Sequence, residues 1–103
     1  MVQIIWTDSA LQDLNDIGEY IAKDSIRYAE ITVVRLFESV DILENHPFLG
    51  LKSSDFTNES IRQILKGDYR IVYQIIDDSR IDILTVHNCA RLISNTKALR
   101  KRK

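Results

Sequence analysis

The sequence predicts an α+β domain in the order β-αα-βββ, a helical hairpin packed on a small, mainly antiparallel sheet. Three features predict it. A short run rich in β-branched residues, Val2 to Trp6, opens the chain. Two stretches of helical period follow, parted by three residues. Three strand-like runs joined by short turns occupy the second half.

Val2 to Trp6 is too short for a helix and reads as a strand. Thr7, Asp8 and Ser9 are each able to accept a hydrogen bond from a free N–H of a first helical turn. Ala10, Leu14, Ile17 and Ile21 then recur at helical spacing, with Leu11 and Gly18 widening the apolar face. Gln12, Asp13, Asn15, Asp16 and Glu19 form the polar face, and their carboxylates read as solvated surface rather than a metal or acid/base set. Lys23-Asp24-Ser25 is a turn, with Asp24 or Ser25 as the next cap. Ile26, Ala29, Val33, Leu36, Val40 and Leu43 repeat at alternating spacings of three and four, with Phe37 alongside, and predict a second helix running to Asn45-His46-Pro47. So short a turn makes the two helices antiparallel.

Phe48 to Glu59 is a loop of a length that often carries function. Ile61 to Leu65, Tyr69 to Ile76 and Ile81 to His87 are strands. Lys66-Gly67-Asp68 and Asp77 to Arg80 turn the chain between them, which makes a meander.

At 103 residues the chain is one domain's worth, with residues 1–96 expected as the domain and 97–103 as a basic tail. A single cysteine, Cys89, excludes an intrachain disulfide and reads as a small buried residue. The opening decapeptide is unlike a signal peptide, and no run approaches the roughly 20 apolar residues of a membrane span. The expected location is the cytoplasm. There is no zinc-ligand spacing, nucleophile elbow, P-loop or dinucleotide fingerprint, so neither a metal nor an organic cofactor is implied.

The formal net charge of −1 conceals segregation. Met1 to Ser60 holds eleven acidic and four basic residues, whereas Ile61 to Lys103 holds four acidic and ten basic. Arg91, Lys97, Arg100, Lys101, Arg102 and Lys103 crowd the end of the chain and suggest an anionic or acidic partner there. Along the central strand, Tyr69, Ile71, Tyr73 and Ile75 share one face and Arg70, Val72, Gln74 and Ile76 the other. Simple alternation groups Ile81, Ile83, Thr85 and His87 against Asp82, Leu84 and Val86, and Arg62 and Ile64 against Ile61, Gln63 and Leu65. Two readings stay open for Arg70: an anion contact on an open face, or a structural bond to a carboxylate such as Asp82 or to a carbonyl. His87 is either structural or an acid/base group.

Taken in order, the pattern resembles the RelE/ParE superfamily of bacterial toxins, and its ParE branch in particular. The resemblance spans nearly the whole chain: the opening strand and T-D-S-A-L-Q-D-L-N-D-I-G-E-Y-I-A (Thr7 to Ala22), L-E-N-H-P-F-L-G (Leu43 to Gly50), S-I-R-Q-I (Ser60 to Ile64), Y-R-I-V-Y (Tyr69 to Tyr73) and I-L-T-V-H-N-C-A-R (Ile83 to Arg91). The chain departs from the branch's pattern in placing Leu51, then Lys52, after Gly50.

The resemblance implies the toxin of a type II toxin–antitoxin module, silenced by a cognate, ParD-like or similar DNA-binding antitoxin. ParE-like members inhibit DNA gyrase; RelE-like members cut mRNA on the ribosome. RNA cleavage needs a group to activate the 2′-hydroxyl, cations for the developing charge and a leaving-group acid. Here the resemblance implies Arg62, Arg70 and Arg91 as candidate cations and His87 as the candidate substitute for a tail tyrosine, as in histidine-using relatives, which usually carry further acid/base groups near the C-terminus. The tail LISNTKALRKRK has no tyrosine, which favours gyrase inhibition without catalysis. An mRNA endoribonuclease is the alternative, and a non-toxic binding module or corepressor the second. Arg62, Arg70, Arg91, Lys97 and Arg100 to Lys103 are the candidates for binding target or partner, and an acidic or amphipathic antitoxin segment is expected over the hairpin and the basic sheet end. Replacing Arg100 to Lys103 with alanine is expected to weaken target or partner binding, most at low ionic strength. Titrations at two salt concentrations check this, and an unchanged affinity at low salt removes the tail from the interface.

Overall fold

The computed structural model describes residues 1–52 and 57–89. Its elements are β1 (Gln3–Trp6), α1 (Asp8–Ala22), α2 (Ile26–Glu38), a 3-10 turn (Asp41–Glu44), β2 (Leu51–Lys52), β3 (Ile61–Lys66), β4 (Tyr69–Asp77) and β5 (Arg80–Asn88). They form one five-stranded sheet in the order β1-β5-β4-β3-β2, with the helical hairpin on one face. Every neighbouring pair is antiparallel except β1 and β5, which run parallel. No helix among the described residues is long and apolar enough to cross a membrane.

The helices start where side chains cap them. The Thr7 hydroxyl accepts from the Ala10 N–H and Ser25 does the same for Tyr28. Ala10, Leu14 and Ile17 of α1 and Ala29, Thr32 and Leu36 of α2 are buried. The second helix is shorter than its apolar stripe predicts. At Ser39 the backbone N–H is shared between the carbonyls of Arg35 and Leu36, and the hydroxyl donates to Leu36 O, so the last turn tightens. Val40 and Leu43 still reach the core, 1% and 0% exposed, from the connection and the 3-10 turn. Ile26, first of the predicted stripe, stays 69% exposed. The long loop also holds β2, a pair of residues too short to show a period.

The β3–β4 hairpin turns on Gly67 and Asp68, closed by the pair Lys66 and Tyr69. Gly67 takes φ +59, and no non-glycine residue among those described has positive φ, the arrangement of a turn with glycine at its first central position. Asp77 ends β4 and bonds the amide and hydroxyl of Ser79, which holds its carboxyl below the ordinary value.

Strand β5 departs from simple alternation. Tyr73 pairs with Ile83 but Val72 pairs with Thr85, so Leu84 is an extra residue, a β-bulge. The phase flips there. Ile81 and Ile83 face the helices on one side of the bulge, and Val86 does so on the other; all three belong to the core with Ile71 and Tyr73. Thr85 and His87 therefore lie on the opposite face, level with Val72 and Arg70, and not with Ile81 and Ile83 as alternation predicts.

The outer edge of β5 has two covers. β1 pairs with Arg80 to Ile83 and stops. Thr7, the next residue, donates its N–H to Ile83 O at 3.2 Å and its hydroxyl to the same oxygen at 2.7 Å. Helix α1 then runs along the rest of the edge. Its Asp13 carboxylate accepts from the Val86 N–H at 2.9 Å and the Thr85 hydroxyl at 2.6 Å. Asp13 is thus a cap on a strand edge, not one of a row of solvated acids. Asp13→Ala leaves both donors unpaired in a half-buried setting and is expected to lower stability by about 1–3 kcal/mol. Asp13→Asn, which keeps an acceptor, is expected to lose less; denaturant melts of both variants provide the check.

Candidate functional site

The residues singled out in the sequence fall in separate places. Arg62 pairs across the sheet with Tyr73 and sits on the face that carries the helices and the loop at residues 46–50. Its Nη1 donates to Gly50 O at 2.9 Å, and its guanidinium lies 5.2 Å from the centre of the Phe48 ring. Beside it the Tyr73 hydroxyl donates to Pro47 O and accepts from the Gly50 N–H, both at 2.8 Å. A Cβ on Gly50 would stand 2.5 Å from the tyrosine oxygen and 2.8 Å from Gln63 O, so only glycine fits against the phenol. H-P-x-x-G, the arginine of S-I-R-Q-I and the last tyrosine of Y-R-I-V-Y are therefore one clamp. Burial pushes the Tyr73 phenol above its ordinary value, opposed by the Gly50 N–H and the Arg62 charge.

Arg70 and His87 face each other across β4 and β5 on the side away from the helices. His87 Nε2 lies 3.4 Å from the Thr85 hydroxyl, whose proton goes to Asp13. The Asp82 carboxylate forms a two-pronged bond with Arg80, at 2.8 and 2.9 Å, several residues along β5 from His87. Arg91, Lys97, Arg100, Lys101, Arg102 and Lys103 lie outside the described residues. Cys89 is half-buried, its amide bonded to Asp68 O. No cluster of three potential metal ligands occurs among the described residues.

A feature of different character lies between the helices. An open groove of about 810 Å³ runs between α1 and α2. Leu14, Gly18, Ala29 and Val33 line its middle. A Cβ on Gly18 would stand 3.2 Å from Val33 Cγ2, a tight contact that a shift of a few tenths of an ångström in Val33 would have to relieve. Leu11, Ile26, Val34 and Phe37 also line it and remain 44%, 69%, 51% and 47% exposed, a continuous apolar surface on a small domain. The helical periods show that the hairpin exists. They do not show which apolar residues are surplus to the core.

A helical hairpin on a five-stranded sheet whose first strand runs parallel to its last is the architecture of the RelE/ParE toxin superfamily. A profile of the family described as ParE toxin of type II toxin–antitoxin system, parDE, matches residues 4–93, and the chain belongs to that family. It is 37% identical over 86 residues to the Sinorhizobium fredii protein named "Putative toxin Y4kP", covering 82% of this chain and 84% of the relative. It is 27% identical over 92 residues to Toxin RelE2 of Caulobacter vibrioides, covering 89% of this chain and 100% of the relative. The fold is shared with a chain of the chromosomal ParDE system from P. aeruginosa, at TM-score 0.71 and 22% identity over 85% of this chain and 96% of that one. It is also shared with a chain of the RelBE2 complex from Mycobacterium tuberculosis, at TM-score 0.55 and 23% identity over 84% and 96%.

Tyr73→Phe keeps the ring in the core and strands the Gly50 N–H and the Pro47 carbonyl, with an expected loss of about 1–3 kcal/mol. The hydroxyl also makes stability depend on alkaline pH. Its folded value is raised above the 10.0 of the free side chain. Its contribution is therefore full below pH 10.0 and falls away as pH rises through the folded value. Melts of both proteins at neutral pH and above pH 10.0 check this, and the variant is expected to show the smaller alkaline decline.

Proposed function

We propose that this chain is a toxin that inhibits DNA gyrase by binding, without cutting nucleic acid, and that a cognate ParD-like or similar DNA-binding antitoxin silences it. Membership in the ParE toxin family supports the module and the antitoxin. What carries the choice of target is Arg62. A ribonuclease of the RelE type draws its cations from the loop and sheet. Here the guanidinium best placed between them is committed to the Gly50 carbonyl and the Phe48 ring, on the face covered by the loop. The carboxylate bonded into the His87 neighbourhood, Asp13, is likewise committed to the edge of β5. Among the tyrosines, Tyr73 is fully buried and clamped, and the tail sequence has none.

One observation favours the ribosome-dependent mRNA endoribonuclease instead. Arg70 and His87 are cross-strand neighbours, which puts a cation beside an imidazole on the same face. The two targets separate in one pair of assays. Purified protein is expected to inhibit gyrase supercoiling and to leave mRNA on translating ribosomes uncut. His87→Ala is expected to leave supercoiling inhibition unchanged. Cleavage in the ribosomal A site, reduced by about 10²–10⁴-fold in His87→Ala, would establish the nuclease instead. Harmless expression without an antitoxin, with neither activity, points to a binding module or corepressor.

A further inference from the structure

A second, smaller cavity of about 190 Å³ lies where α2 passes the β3–β4 turn. The helix lines it with Tyr28, Thr32 and Arg35, and the hairpin with Lys66, Asp68 and Tyr69. The three helix residues are spaced by four and three, which puts them on one face. On the hairpin side, Lys66 and Tyr69 are the closing pair of the turn. The cavity belongs to the side of the sheet that carries the helices, whereas Arg70 and His87 lie on the other.

The polar groups around it are left over from the fold. Thr32 is only 9% exposed. A threonine inside a helix can turn its hydroxyl to the carbonyl one turn back, yet this hydroxyl makes no hydrogen bond among the described residues. Neither Arg35 nor Lys66 forms an ion pair among the described residues. The Gly67 and Asp68 N–H groups, outside the strand ladder, donate to no backbone carbonyl there. Two cations therefore face one carboxylate, that of Asp68, across a space with a buried hydroxyl at its helix wall.

We propose that this cavity binds a small phosphorylated sugar, its phosphate held by Arg35, Lys66 and the Thr32 hydroxyl and its sugar hydroxyls donating to Asp68. A phosphate monoester carries a charge of about −1.5 to −2 and three acceptor oxygens, which suits two cations and a hydroxyl. A carboxylate, with a single charge, leaves one cation unanswered. A bare anion meets repulsion from Asp68, whereas a polyol offers that carboxylate hydrogens to accept. The tyrosine rings give the sugar flat walls with a polar edge. Cavities for drug-sized ligands run to roughly 300–1,000 Å³, so the space here suits one phosphorylated pentose and not a longer chain. The proposal rests on this cavity alone and is independent of the choice between gyrase and mRNA.

Amide spectra of the full chain labelled with ¹⁵N test it, with ribose 5-phosphate, adenosine 5′-monophosphate, ribose and inorganic phosphate as probes. Ribose 5-phosphate is expected to shift the amides of Thr32, Gly67 and Asp68 saturably, and inorganic phosphate to shift the same amides with affinity on the order of tenfold weaker. Ribose alone is expected to leave them in place. The tighter of ribose 5-phosphate and adenosine 5′-monophosphate tells whether the source is a free sugar phosphate or a nucleotide. Arg35→Gln and Lys66→Gln are each expected to weaken ribose 5-phosphate by about tenfold or more. Thr32→Val, which keeps the side chain's shape, is expected to weaken it less, with melts confirming the fold. Arg27→Gln, a cation of α2 outside the lining, is expected to change nothing. Asp68→Ala is expected to tighten inorganic phosphate and weaken ribose 5-phosphate, a reversal that a general attraction of anions does not produce. Absence of shifts at these amides, equal affinity for ribose 5-phosphate and inorganic phosphate, or an equal loss in Arg27→Gln overturns the proposal.

Discussion

Strand β5 outruns its outer neighbour. It has nine residues and β1 has four, so half of one strand edge must find partners other than a strand. Unpaired backbone donors in a half-buried setting are costly, and an open edge invites pairing with another chain. The molecule meets this within a few residues of sequence. Thr7 ends the strand, caps the helix and bonds the last carbonyl that β1 reaches, all with one side chain and its own amide. Asp13 then reaches from the second turn of α1 to the next exposed N–H. The direction of α1 follows, and with it the hairpin, whose second helix returns antiparallel over the sheet. The bulge at Leu84 belongs to the same junction, since it falls where strand cover gives way to helix cover.

The bulge and the Tyr73 clamp together decide which polar groups meet. The bulge turns Thr85 and His87 to the face away from the helices, beside Arg70. The clamp draws the loop at residues 46–50 onto the other face and keeps Arg62 with it. Basic residues close together in sequence are thereby divided between the two sides of one sheet. Net charge along the chain is a poor guide to where charge gathers in such a fold, because β-strands distribute successive residues to opposite faces. The acid-rich first half behaves in the same way. Asp13 is built into the sheet edge, while Glu19, Glu30 and Glu38 border an apolar cleft.

Much of the fold was legible in the sequence. Helical and strand periods report which segments bury a face, and the runs here are long enough to show them. The turn at Gly67-Asp68 was legible because glycine there has a geometric reason. The bulge was not, because Leu84 looks like any apolar strand residue and its effect appears only in the pairing with β4. The early end of α2 was hidden by Val40 and Leu43, which continue the apolar stripe through a tighter turn and keep the same burial. Within the candidate site, H-P-x-x-G, Arg62 and Tyr73 were visible as fragments. Their union in one clamp depends on a phenol reaching two backbone groups, Pro47 O and the Gly50 N–H, more than twenty positions away in sequence. By sequence Asp13 looks like surface, because a carboxylate on a polar helix face carries no mark of the strand beside it.

The chain's single tryptophan, Trp6, has its ring stacked on Phe37, with centroids 5.2 Å apart and planes inclined by 20°. Phe37 also lines the end of the helical cleft and is about half exposed. An indole in contact with a wall of the cleft senses whatever settles there, since excluding water from Phe37 alters the polarity around the indole's own stacking partner. The molecule thus contains a built-in optical probe, whose emission can follow cleft occupancy in unlabelled protein.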